Sequence, residues 1–130
     1  MVVEDNHAVR AFVVEALRDF GYEVLEAASG SEAIAVSQRH DGPIDLLLSD
    51  MIMPVMPGAE VARALTRERA ELQVMFMSGY MGDSVNPDEI VVSGERYSLL
   101  PKPFTATELC DRVESALNGR KVGLRARSAS

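Results

Sequence analysis

Four short polar stretches each follow an apolar run, and their residue types suit phosphate chemistry. Val2-Val3 runs into Glu4-Asp5, and Leu46-Leu47-Leu48-Ser49 into Asp50. Met75-Phe76-Met77 runs into Ser78, and Leu99-Leu100-Pro101 into Lys102. Three carboxylates gathered in one place repel, and their pKa values rise unless a cation sits among them. The set offers hard oxygens and no histidine or thiolate, which favours Mg²⁺ over Zn²⁺. A hydrated Mg²⁺ held by one or two carboxylates shares its remaining positions with phosphate oxygens. Lys102 adds a point positive charge and Ser78 a hydroxyl donor. Asp50 is then the nucleophile that takes a phosphoryl group and becomes an acyl phosphate. Positioning and charge neutralisation are the protein's share of such a reaction.

Any one of these positions alone reads as ordinary turn chemistry at a strand end. The argument rests on all four, and lysine usage sharpens it. The chain has 11 Arg and only two Lys, and one of those lysines lies between two prolines after an apolar strand. A solvated surface charge is served equally by Arg, whereas a compact phosphate-pairing charge is better served by Lys.

The elements that must position these residues are legible as an alternation of five strands and five helices. Met1-Val2-Val3 opens as a strand. Val9, Phe12, Val13, Ala16, Leu17 and Phe20 keep the three-and-four spacing of a helix stripe, which Gly21 ends. Glu23 to Ala27 alternates as an edge strand does. Ser29-Gly30-Ser31 supplies caps for a helix from about Glu32 to Arg39, and Asp41-Gly42-Pro43 breaks the chain. Ile44 to Ser49 has a continuous apolar centre, the pattern of a central parallel strand buried on both faces. Pro54 and Pro57-Gly58 mark a loop, and Val61 and Leu65 anchor a third helix. Val74 to Met77 is a fourth strand. Asn86-Pro87-Asp88-Glu89 reads as a cap, a first-position proline and an acidic first turn opening a short fourth helix. Tyr97 to Leu100 is the fifth strand, and Pro101 predicts an edge at that point, because proline cannot donate to a ladder. Thr105-Ala106-Thr107-Glu108 is a capping box for the last helix, which Asn118-Gly119 should end.

Strands alternating with helices predict an α/β fold with a parallel sheet covered on both faces. The expected form is a flavodoxin-like, three-layer, doubly wound sandwich with five strands in the order 2-1-3-4-5. Ligands of such sheets bind beyond the carboxyl ends of the strands. Neighbouring strands lie about 4.8 Å apart, so Asp5 and Asp50 should share one edge, with Ser78 and Lys102 following.

Composition narrows the classes. The chain has 130 residues, 47% of them hydrophobic and 25% charged, which suits one soluble domain. One cysteine excludes an internal disulfide framework and fits a reducing compartment, so the expected location is the cytoplasm. No apolar run approaches the ~20 residues of a membrane span, and the first residues do not form a signal peptide. Residues 1–118 carry 9 basic and 20 acidic side chains, a body that repels nucleic acid and anionic membranes. Residues 119–130 are basic, and a disordered tail or linker is expected there.

The four segments, read in order as Val2-Val3-Glu4-Asp5-Asn6, Asp50-Met51-Ile52-Met53-Pro54-Val55-Met56-Pro57-Gly58, Phe76-Met77-Ser78-Gly79-Tyr80 and Pro101-Lys102-Pro103-Phe104, resemble the receiver domain of two-component response regulators. The resemblance covers about residues 1–118. It implies Mg²⁺-dependent transfer of phosphoryl from a phosphohistidine, on a sensor histidine kinase or a histidine phosphotransfer protein, to Asp50. It implies that Asp5 and Asp50 hold the metal, that Glu4 helps through water, and that the carbonyl of Ile52 completes the ligands. It further implies that Ser78 closes on the phosphoryl group, that Lys102 pairs with it, and that the Lys102–Pro103 peptide is cis. The Ser-Gly-Tyr segment resembles receivers attached to hybrid sensor kinases. Such a domain acts on itself and is not an enzyme with an external substrate. It signals to an output domain or downstream protein through the face of the fourth helix, fifth strand and fifth helix. Its oligomeric state is open, a phosphorylation-dependent dimer among the options.

The sequence departs from the family pattern at three places. Glu4 stands where many members have Asp. Leu99 stands where many carry an aromatic switch residue, and Tyr80 or Tyr97 is the available substitute. Ile52 and Tyr80 flank the phosphoryl site and are poor groups for positioning water, which predicts slow self-dephosphorylation. An aspartate-nucleophile phosphatase of the haloacid dehalogenase type is one rival reading, but Ile52 stands where such enzymes need a second acid. Flavin or dinucleotide binding is disfavoured by the acidic loop after the first strand, which lacks a glycine-rich cradle. A pseudo-receiver that only docks a partner is disfavoured by the intact acid–Asp–Ser–Lys set. The methionines between Met51 and Met81 are expected to fill the core, Cys110 to be a buried thiol, and His7 and His40 to be surface or cap residues.

Overall fold

The computed structural model describes residues 1–79, 89–92 and 94–125, with the backbone alone from residue 119 onward. Ten elements follow in order: β1 Val2–Val3, α1 His7–Asp19, β2 Glu26–Ala27, α2 Gly30–Arg39, β3 Leu46–Asp50, α3 Gly58–Glu68, β4 Gln73–Ser78, β5 Glu89–Val92, β6 Glu95–Pro101 and α4 Ala106–Arg125. The sheet order is β2-β1-β3-β4-β6-β5. All neighbours run parallel except β5, which is antiparallel to β6.

The sheet is the middle of three layers. Period-two alternation along the buried strands sends Leu46 and Leu48 to one face and Leu47 to the other. On the first face they meet Val13, Val14 and Leu17 of α1 and Leu109 and Val113 of α4. On the second, Leu47, Phe76 and Leu99 meet Ala33 of α2 and Val61, Ala62 and Leu65 of α3. Met53 is buried on the α2–α3 face, with Met51 and Met56 packed against the same cluster, and Met75 and Met77 are buried on the other face, so the described loop and strand methionines fill the core.

Local capping starts the helices where the side chains require it. The Asn6 carboxamide accepts from the Val9 N–H at 2.9 Å. Ser29 Oγ accepts from the Glu32 N–H at 3.1 Å, and the Glu32 carboxylate accepts from the Ala28 N–H at 2.8 Å. Thr105 and Glu108 close a reciprocal capping box, 3.0 and 2.9 Å. Gly21 follows α1 at φ 108°, the left-handed geometry that favours glycine.

Two expectations need correction. The fold class holds, but the described residues form a sheet of six strands with one antiparallel, and four helices. Glu89, expected to open a fourth helix, begins β5. Ile90, Val91 and Val92 are β-branched and suit a pleated surface. The ladder pairs Glu89 with Ser98 and Val92 with Glu95, and Gly94 turns the chain at φ 83°. Asn86, Pro87 and Asp88 lie outside the described residues. The last helix also continues past Asn118-Gly119 to Arg125. One glycine weakens a helix by about 1 kcal/mol without ending it.

On one side Pro101 pairs with Ser78 of β4, and on the other the described pairing of β5 with β6 runs from Glu95 to Ser98. The residues that would lie beside Pro101 in an extension of β5, 86–88, are outside the described ones, so the expected edge is not tested there.

Candidate functional site

The sheet register assembles the site. Val3 is opposite Ser49, so Glu4 and Asp50 emerge from adjacent strand ends. Ser78 is opposite Pro101, which sets Lys102 one residue beyond. The Lys102 N–H donates to the Ser78 carbonyl at 2.8 Å, and the Lys102–Pro103 peptide is cis. Glu4, Asp50 and Ser78 are buried polar residues, whereas Asp5 is exposed.

One carboxylate oxygen each from Glu4, Asp5 and Asp50 lies within 4.8 Å of the others. Lys102 Nζ stands 3.0 Å from Glu4 Oε1 and 3.6 Å from Asp50 Oδ1. The other Glu4 oxygen accepts from the Asn6 N–H at 3.1 Å. Burial pushes the Glu4 carboxyl above its ordinary value, and the nearby Asp50 charge pushes the same way. The hydrogen bonds from Lys102 and the Asn6 N–H oppose the rise. Burial also pushes the Cys110 thiol up, which keeps it protonated and inert between α1 and α4.

This donor set fits a hard divalent cation. It holds only carboxylate oxygens, one of them exposed for exchange with solvent, and a single ammonium lies within salt-bridge distance of two of them. The predicted quartet of Asp5, Asp50, Ser78 and Lys102 therefore shares one strand edge, with Glu4 alongside. Ile52 lies two residues beyond Asp50 and is 71% exposed. Tyr80 lies outside the described residues. Leu99 is buried on β6 and Tyr97 packs edge-on against Phe76, ring centroids 5.2 Å apart. A cavity of about 500 Å³ opens at the opposite end of the sheet, around Met1, Tyr22, Ile44 and Leu117, and takes no part in this cluster.

Sequence reasoning passed over two contributors. Gly58 was legible only as a loop marker. A Cβ there would collide with the carbonyl of Asp50, so α3 begins against the backbone of that residue. Arg10, an unremarked helix position, reaches back to the Glu4 carbonyl at 2.8 Å.

The response regulator receiver domain family matches residues 1–114. The chain belongs to that family. The receiver is 36% identical over 117 residues to the sensor kinase CckA of Brucella abortus, covering 90% of this chain and 12% of the kinase. It is 34% identical over 117 residues to the response regulator receiver protein CpdR of the same organism, covering 90% of this chain and 94% of that protein. The crystal structure of the receiver domain from the hybrid histidine kinase CckA superposes with a TM-score of 0.73 at 39% identity, covering 89% of this chain and 95% of that one. The chemotaxis protein CheY4 of Vibrio cholerae gives a TM-score of 0.74 at 26% identity, covering 89% and 95%. The receiver thus has the flavodoxin-like fold in a two-component setting. No helix among its described residues is long and apolar enough to cross a membrane.

Proposed function

We propose that this receiver is a phosphorylation switch that accepts a phosphoryl group on Asp50 with Mg²⁺. One observation carries the reading: three carboxylates converge within 4.8 Å beside an ammonium 3.6 Å from Asp50. Asp5 and Asp50 would hold the ion, with the Ile52 carbonyl, and Glu4 would support it through water. Bound Mg²⁺ would neutralise charge on the transferred group.

Asp50 attacks phosphorus in line, the P–N bond to the donor histidine breaks, and the imidazole leaves with that electron pair. Lys102 then exchanges its carboxylate partners for a phosphoryl oxygen. The Ser78 hydroxyl donates to the same group and draws the end of β4 inward. Because β6 pairs with β4 through Met75 to Ser78 and with β5 through Glu95 to Ser98, the change reaches the β5–β6 hairpin and α4. The described part of this face, β5, β6 and α4, would belong to the surface a downstream protein or output domain reads. The event is a two-state population shift, with no turnover of an external substrate.

Partners of the proposed switch are a sensor histidine kinase or a histidine phosphotransfer protein, in the cytoplasm. Residues 1–118 would form the switch, and 119–130 would lead away from it. Incubation with a phosphorylated histidine phosphotransfer protein tests the reading. Label should pass to the receiver in Mg²⁺ and not in excess chelator, and equal transfer in both would remove the metal from its role. Hydrolysis of external phosphate esters at enzymic rates would instead favour the phosphatase reading. With Ile52 directed to solvent and no polar side chain at that position, the acyl phosphate should last minutes or longer. A lifetime of seconds in purified protein would refute this.

A further inference from the structure

We propose that Arg10 is the positioning residue of the acidic site. Its guanidinium fixes the Glu4–Asp5 peptide so that both carboxylates are presented to Asp50. The inference rests on the reading of that cluster as a Mg²⁺ site and names the group that builds it.

Arg10 lies in the opening turn of α1 and reaches back over the helix start. Its side chain is 16% exposed and makes three contacts. Nη1 donates to the carbonyl oxygen of Glu4 at 2.8 Å. Nε donates to Oε1 of Glu26, the first residue of β2, at 3.3 Å. Nη2 meets His7 Nδ1 at 3.2 Å, and the imidazole nitrogen must be the acceptor, because a guanidinium only donates. The carbonyl that Arg10 grips belongs to the peptide joining the two acids. The N–H of Glu4 is held from the other side by the Ala27 carbonyl at 3.1 Å. Both backbone polar groups of Glu4 are therefore fixed, one by β2 and one by Arg10. That restraint determines how the buried Glu4 carboxylate and the exposed Asp5 carboxylate diverge from adjacent positions and still approach Asp50.

Charge alone does not explain a guanidinium here. A cation beside a divalent-ion site opposes metal binding, so the electrostatic and positional effects of Arg10 have opposite signs. A lysine keeps the charge and loses the planar fork that satisfies three partners in fixed directions.

Titration calorimetry with Mg²⁺ on wild type, Arg10→Lys and Arg10→Gln separates the two effects, with circular dichroism confirming the fold. Both variants should bind Mg²⁺ more weakly, by roughly tenfold or more, as loss of partners that orient metal ligands typically does. Saturating Mg²⁺ should restore the maximal rate of phosphorylation. Tighter binding by Arg10→Gln with Arg10→Lys unchanged would reduce the guanidinium to a charge and overturn the proposal. Unchanged affinity in both would reduce it to a strut for the fold and overturn it equally. If Arg10→Gln does not fold, Arg10→Lys decides alone, since weakening at constant charge belongs to lost geometry. Absence of Mg²⁺ binding by the wild type would overturn the reading of the site and this proposal with it, whereas wild-type binding with unaltered variants overturns this proposal only.

Discussion

Val55 has a φ of 71° and is 97% exposed. A β-branched residue in left-handed backbone costs on the order of 1–3 kcal/mol, and no burial offsets the cost at Val55. Asn tolerates that region, so Val55→Asn should raise stability by about 1 kcal/mol in denaturant unfolding. No change or a loss would contradict the strain. Glu4 gives a second prediction. Burial raises its carboxyl above the unfolded value, so folding favours its protonated form. Its contribution is fully present below the unfolded pKa and is lost as pH rises through the folded one. A bound cation relieves that penalty, and metal needs deprotonated ligands. The rise in Tm on adding Mg²⁺ should therefore be larger at pH 8 than at pH 5, and an equal or reversed difference would remove Glu4 from the site. Leu99 excludes an aromatic rotation at its position.

Two contacts between elements matter most for the frame around the site. Gly58 lets α3 start directly against the Asp50 carbonyl. Gly58→Ala should cost about 2–3 kcal/mol, the upper range for overpacking, because the obstacle is backbone. It should also slow phosphorylation, and a variant of unaltered stability would contradict the clash. Arg69, just past α3, donates to Ser37 Oγ, Ser37 O, His40 O and Gly42 O at 2.8–3.0 Å. It ties the end of α2 and the loop before β3 to the far end of α3. Arg69→Ala should destabilise by about 2–3 kcal/mol, with little rescue by Lys, which lacks the fork. Full rescue by Lys would show that charge alone suffices. These contacts mark the boundary of what the sequence conveys. The strand-end quartet is readable because a parallel sheet must bring strand termini to one edge. Apolar runs ending in Asp50, Ser78 and Lys102 announce those termini. The cap at Ser29 and the box at Thr105 are local, so their residues suffice. β5 is not local: Glu89 to Val92 becomes a strand because β6 is beside it, and Asn86-Pro87-Asp88-Glu89 carries a helix-start pattern. Nor does any spacing rule announce that Gly58 meets Asp50, or that Arg10 turns back to Glu4.

The whole molecule places its chemistry at one end of the sheet. Its acids and Lys102 lie at the strand C-termini, and the cavity around Ile44 lies at the other end. Residues 1–118 are strongly acidic overall, which raises the local concentration of cations and disfavours direct contact with nucleic acid. β6 joins the chemical end to the β5 hairpin, since its last residues flank Ser78 and its first residues carry β5. All of this serves a switch only if Asp50 is the acceptor. Intact-mass measurement after incubation with a small acyl-phosphate donor and Mg²⁺ tests that most directly. The wild type should gain one phosphoryl group and Asp50→Asn none. Equal labelling of the two would contradict the account.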